Sequence, residues 1–496
     1  MERIQDLGLN RKSGILLPVS SLPSPYGIGS FGKEAYQFID FLSECRQSVW
    51  QVLPLNPTSY GDSPYQSPAS MAGNPYFIDP ETLLSEGLLT KEELKRAKVP
   101  GKTVNYGYLF EHRYNLLRLA YSRFKRTNAY ERFLLAERGW LDDYALFMAL
   151  KVKNSFAPWT SWSAEEKTYA KARSEAGLHA EEMDFWRFLQ YEFFTQWARL
   201  RAYANKKGIK IIGDMPIYVA HDSMEVWRSP ESFLLDEEGF PTVVAGCPPD
   251  AYSEDGQLWG NPLYDWDEME KDGYKWWSDR IKHMAELFDA VRIDHFRGIE
   301  SYWSIPAESK TAKEGKWIKG PGMNLVKAIK KAAGKKTQII AEDLGDITPE
   351  VFELVKKSGF PGMRVFQFGF ISNDNSTHLP HNYCENCVAY TGTHDNNTLL
   401  GYLWELDDAT RMRMLEYCGH TGDWKDGLKS IIRCMFASNA SLVIMPIQDL
   451  LGYGSDTRVN TPGRAEGNWA YRITKDQLDS IDKGFFRKLN EIYWRV

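Results

Sequence analysis

Three acidic residues close short apolar runs in this chain. They are Asp294 in Ala290-Val-Arg-Ile-Asp-His295, Glu342 in Gln338-Ile-Ile-Ala-Glu-Asp343, and Asp395 in Ala389-Tyr-Thr-Gly-Thr-His-Asp395. Alternate residues of a strand share a face, so Arg292 and Asp294 point the same way. A guanidinium beside a carboxyl favours its ionised form, the state a carboxylate nucleophile needs. Glu342 follows an apolar run, where partial desolvation raises a carboxyl's pKa and suits it to proton donation. Glycosidic bond exchange requires such a pair, one nucleophile and one proton donor, about 5–5.5 Å apart when configuration is retained. Asp395 supplies a third carboxylate, able to hold sugar hydroxyls and developing positive charge, and His394 beside it can donate to hydroxyls. A single Asp after a strand is usually a helix cap or turn former. Three acids at three strand ends outweigh that bland reading.

The elements that carry these acids belong to a repeated pattern. The β-rich runs are Ser13–Ser20, Ser48–Leu55, Ile209–Pro216, Ala290–His295, Gln338–Asp343, Met363–Phe368, Val388–Thr393 and Ser441–Ile447, eight in all. Amphipathic helical patterns such as Gly32–Leu42 and Met323–Ala332 lie between several of them. Alternation predicts a parallel sheet, and an open doubly wound sheet would explain it as well. Polar chemistry at the C-terminal ends of many different strands favours an α/β fold of the (β/α)8 TIM-barrel type. The spacing predicts one catalytic domain over residues 1–496 with insertions at approximately 60–180 (helical), 220–280 (loop-rich, over the active site) and 396–440 (helical). Helix is expected over Lys91–Lys98, Tyr108–Lys125, Tyr130–Ala136 and Phe185–Lys207, and a Gly/Pro/aromatic loop region over Ala220–Tyr264. No internal repeat or low-complexity tract is evident.

Composition excludes several classes. With 43% apolar residues the chain can bury a core, and 60 basic against 66 acidic residues leave a formal net charge of −6. That balance favours neither nucleic acid nor an anionic membrane surface. No apolar h-region opens the sequence and no window approaches a membrane span, so a cytoplasmic protein is expected. Six cysteines do not make a disulfide framework. A zinc site from Cys384, Cys387, Cys418 and His420 is conceivable, but a lone CxxC is a weak signal and plain thiols are the better reading. The 17 Trp, 26 Tyr and 25 Phe could stack on sugar faces, although taken alone an aromatic-rich core is the better explanation.

Rival chemistries fare poorly. A metal-dependent barrel hydrolase using His295 and His394 lacks a His-x-His after the first strand and a strand-end Lys. No Gly-rich phosphate loop supports nucleotide-sugar chemistry. A non-catalytic glucan-binding protein would not need three intact acids.

The chain resembles the 4-α-glucanotransferases of the amylomaltase (disproportionating enzyme) family, glycoside hydrolase family 77, relatives of the α-amylases. The resemblance runs essentially end to end through Tyr60-Gly-Asp-Ser-Pro-Tyr-Gln66, Gly213-Asp-Met-Pro-Ile-Tyr-Val219, Pro248–Pro262 and the segments at Asp294, Glu342 and Asp395. It implies Asp294 as nucleophile, Glu342 as general acid/base and Asp395 as transition-state stabiliser, with no cofactor and no metal. It further implies that Arg292, Asp214 and His394 contact the sugar at the cleaved bond, with Ser63 and Tyr65 beside it. Asp250, Tyr252 and Trp259 would bind substrate from a loop on the acceptor side, and Arg458 and Asn460 are further candidates. Only a short tail follows Ile447, so no C-terminal β-sandwich of the amylase type is expected. Transferase and hydrolase form the same covalent intermediate and differ in what attacks it. The expected partners are α-1,4-glucans and maltooligosaccharides, with an α-glucan hydrolase as the alternative.

Overall fold

Short runs of apolar and β-branched residues place the strands. In chain order these are β1 (Lys12–Leu16), β2 (Val49–Gln51), β3 (Lys210–Met215), β4 (Val243–Cys247), β5 (Gln257–Pro262) and β6 (Ala290–Ile293). They continue as β7 (Ser301–Pro306), β8 (Lys316–Lys319), β9 (Gln338–Ala341), β10 (Gly362–Val365), β11 (Cys387–Tyr390) and β12 (Leu442–Pro446). The computed structural model describes residues 10–496 apart from Tyr60, Pro100, Ala251, Tyr252, Asn373 and Ala465. Eight strands close into a parallel barrel in the order β1-β12-β11-β10-β9-β6-β3-β2, each of them one of the runs expected from sequence. The fold is a (β/α)8 barrel.

The two-residue period of a strand sorts side chains between the barrel's inside and outside. Leu16, Val49, Ile212, Ala290, Ile340, Val388 and Leu442 pack together as one inner cluster. Two residues further along, on the same face, stand Gln51, Asp214, Arg292, Glu342 and Tyr390. Val291 and Ile293, of opposite parity, belong to the larger cluster outside the barrel. Asp214 and Arg292 are register partners on adjacent parallel strands, so their side chains meet.

Helices fill the long gap between β2 and β3, among them Tyr106–Arg123, Asn128–Lys153 and Ala180–Lys206. The second of these extends well past the expected end at Ala136. Gly139 lies inside it with open space around its Cα, so the glycine costs only intrinsic propensity. Burial of Trp140, Leu141, Tyr144 and Phe147 beyond it outweighs that cost. Trp197 on the returning helix donates from its indole to Leu287 O at 3.1 Å and packs on Phe288, bringing the chain back to the barrel.

The Ala220–Tyr264 region differs from the loop expected there. Its β4 and β5 join β7 and β8 in an antiparallel sheet of order β5-β4-β7-β8. A Cβ on Gly246 would lie 2.1 Å from Gln257 O, so only glycine lets β4 approach β5 this closely. The register shifts between Val244 and Gly246, a bulge that bends the pair. Half of this sheet comes from residues after β6, a partner that no local pattern in 220–264 reveals. No helix among the described residues is long and apolar enough to cross a membrane.

Candidate active site

Arg292 organises the barrel's mouth. Its Nη1 donates to both oxygens of Asp214, at 2.7 and 2.8 Å. Its Nη2 lies 2.9 Å from Asp294 Oδ1 and 3.9 Å from Glu342 Oε2. These two distances cap the separation of the two carboxylate oxygens at about 6.8 Å, below most of the ~6.5–9.5 Å range of inverting pairs. Arg292 is 3% exposed and Asp214 is fully buried, an ion pair whose members each need the other.

Glu342 is held by main chain. His295 adopts a left-handed conformation, φ 49°, and its N–H donates to Glu342 Oε2 at 2.6 Å, while Leu344 N–H donates to Oε1 at 2.8 Å. Burial pushes the Glu342 carboxyl up to about 7, against the pull of Arg292 and these amides and with help from the charge of Asp294. Asp294 is pushed up to about 6, by burial first and also by Asp214 and Asp395, with Arg292 opposing. The Arg292 effect expected from sequence is present, and burial outweighs it. Asp294 keeps 28% exposure in the cleft, so solvent tempers the rise and the group is ionised at neutral pH.

Asp395 behaves oppositely. Burial pushes it up, but His394, Asn460 and Arg292 overcome burial and hold it at about 2. Its Oδ2 lies 3.1 Å from His394 Nε2, and Asn460 Nδ2 donates to Oδ1 at 2.7 Å. Arg458 donates to its backbone carbonyl at 3.0 Å. Burial disfavours charge on His394, yet Asp395 wins and raises its pKa. Tyr65 donates to Asp214 Oδ2 at 2.8 Å, lies 2.9 Å from His394 Nε2, and stacks on that imidazole with centroids 5.4 Å apart.

The outer wall is aromatic and amide-rich. Trp259 on β5 meets the His295 ring edge-on at 4.9 Å. Gln66 donates to Trp259 O at 3.3 Å and to Asn261 Oδ1 at 2.9 Å, tying its own segment to β5.

Comparison with known proteins decides the family. The family described as 4-alpha-glucanotransferase matches residues 17–478. The chain belongs to the 4-alpha-glucanotransferase family. The enzyme of Clostridium butyricum with that name is 47% identical over 487 residues, covering 96% of this chain and 99% of the relative. That of Thermus thermophilus is 46% identical over 505 residues, covering 98% and 100%. Among solved structures, amylomaltase from Streptococcus agalactiae in complex with acarbose aligns with a TM-score of 0.93 at 39% identity, covering 98% of this chain and 99% of that one. The chain is an enzyme, and it transfers α-1,4-glucan segments.

For this glucanotransferase the structure brings together Asp214, Arg292, Asp294, Glu342, His394, Asp395 and Tyr65, with Trp259 at their rim. Ser63 reaches the site through Tyr65, whose N–H donates to Ser63 Oγ at 3.2 Å. Asp250 lies in an exposed turn where Ser253 N–H donates to its carboxylate at 2.8 Å. Tyr252 lies outside the described residues. Arg458 and Asn460 both contact Asp395. Sequence reasoning missed the backbone N–H of His295, for which residue types carry no signal. It also missed Trp469, which packs on Tyr65 and His394 at 5.7 and 6.0 Å. Among the described residues no group of three or more His, Cys, Asp or Glu is placed to hold a metal ion, and all six cysteines are free thiols.

Proposed function

We propose that transfer proceeds by retaining double displacement through a covalent glycosyl-enzyme. Asp294 attacks the anomeric carbon while Glu342 gives its proton to the departing glycosidic oxygen. Glu342 then takes the proton of an acceptor hydroxyl as that oxygen displaces Asp294. Asp395, kept anionic, binds the sugar hydroxyls and stabilises positive charge on the ring. The observation that supports this reading is the single Arg292 nitrogen shared by Asp294 and Glu342, which keeps the two oxygens within about 6.8 Å, a ceiling that accommodates the ~5–5.5 Å of retaining pairs and leaves out most of the inverting range. Their acidities also diverge in the useful direction, with the nucleophile the stronger acid.

Buried His394 Nδ1 and His295 Nε2 have no hydrogen-bond partner among the described residues, and a polyhydroxyl ligand would supply one. We assign Trp259 on β5, with Tyr252, Asp250 and Ser63, to substrate and acceptor binding. The insertions at approximately 60–180, 220–280 and 396–440 are read as walls of one catalytic domain. A cytoplasmic location is inferred, consistent with six free thiols.

Maltotriose is the test substrate. It should give glucose and a ladder of longer α-1,4 oligomers with hardly any rise in reducing ends. Asp294→Asn should lower this exchange by roughly 10⁴-fold or more while the fold stays intact. Near-normal exchange by that variant would remove the nucleophile assignment.

A further inference from the structure

Asp449 follows the last barrel strand, in the short helix Ile447–Leu451, and is 3% exposed. Among the described residues no Lys, Arg or His pairs with it. A buried carboxylate without a cation is costly unless its oxygens accept hydrogen bonds, and both do. Thr391 Oγ1 donates to Oδ2 at 2.6 Å, and Leu399 N–H donates to Oδ1 at 2.8 Å. Those two donors bracket the segment 391–399, which carries His394 and Asp395.

The preceding residue holds the opposing segment. Gln448 Nε2 donates to Thr457 O at 2.9 Å, just before Arg458 and Asn460, which contact Asp395 from the other side. Asn397 Nδ2 donates to Ser455 Oγ at 2.9 Å and joins the two segments between these anchors. Consecutive side chains on one rigid turn thus grip both loops that orient Asp395.

We infer that Asp449, assisted by Gln448, is a positioning residue for transfer: it clamps the ends of the 391–399 segment and thereby sets the Asp395 carboxylate against the sugar. The inference rests on the reading of Asp395 as transition-state stabiliser. Burial also pushes Asp449 up to about 6 against its two hydrogen bonds, so the carboxylate is kept here at a cost in its own solvation.

Maltotriose exchange is measured for D449A, D449N, D395N and the D449A/D395N double variant, with the thermal midpoint of each. D449A should lower kcat about 10- to 100-fold with KM within about threefold, because a misplacement near 1 Å can cost that much in the transition state alone. D449N should recover most of the rate. Its carbonyl still accepts from Leu399 N–H, and the Thr391 hydroxyl can turn to accept from its amide. In the D395N background, D449A should cost less than about threefold. Full kcat in D449A overturns the inference, and so does an equal kcat loss with and without D395N. If D395N itself keeps near-normal exchange, the reading of Asp395 falls and the inference falls with it. Should D449A fail to fold, Thr391→Val, which removes one hydroxyl, carries the same cycle with the same criteria.

Discussion

Replacing Glu342 by Gln tests the acid/base assignment through its pH dependence. Productive molecules carry ionised Asp294, which titrates at about 6, and protonated Glu342, which titrates at about 7. The two limbs belong to an interacting pair. The sign is fixed by the roles: activity rises as Asp294 loses its proton and falls as Glu342 loses its own. With those values roughly 60% of molecules are competent at pH 6.5 and about 3% at pH 8.5. The profile of kcat/KM on maltotriose should therefore peak near 6.5 and fall about 20-fold by pH 8.5. Gln cannot give or take the proton, so E342Q should lose about 10²- to 10⁴-fold on maltotriose. With α-maltosyl fluoride, whose leaving group needs no proton, the first-turnover fluoride burst of E342Q should survive. It should show only the limb near 6. The reasoning is refuted if E342Q stays within tenfold of the unmodified enzyme on maltotriose, or if its high-pH limb persists.

Removing the Trp259 indole should weaken acceptor sugar packing by about 0.5–1.5 kcal/mol and lower the ratio of transfer to hydrolysis roughly 2- to 13-fold. Reducing ends counted against maltotriose consumed give that ratio directly, and an unchanged ratio would exclude Trp259 from acceptor binding. Arg292→Met leaves the fully buried Asp214 without its cation and should cost about 3–5 kcal/mol of stability in urea unfolding. Because Arg292 lowers the pKa of both Asp294 and Glu342, residual activity in that variant should move to higher pH. An unfolding midpoint equal to the unmodified protein's would show that Asp214 does not depend on Arg292.

Much of this molecule is legible locally. Apolar runs of strand length mark every barrel strand, because a strand buried on both faces needs little beyond its own residues to declare itself. The same-face relation of Arg292 and Asp294 follows from the two-residue period alone. Other features depend on partners distant in sequence. The β4-β5 ribbon is a sheet only because β7 and β8 complete it, and its Gly246, Gly260 and Pro262 read locally as loop. Helix Asn128–Lys153 continues past Gly139 because tertiary burial outweighs propensity. Acidity is the clearest case: Arg292 two residues before Asp294 argued for a depressed pKa, and its influence has that sign. Depth in the cleft and the charges of Asp214 and Asp395 reverse the net result, since desolvation is set by the whole fold rather than by neighbours in the chain. Residue types and spacing could name Asp294, Glu342 and Asp395; only the closed barrel decides which keeps a proton.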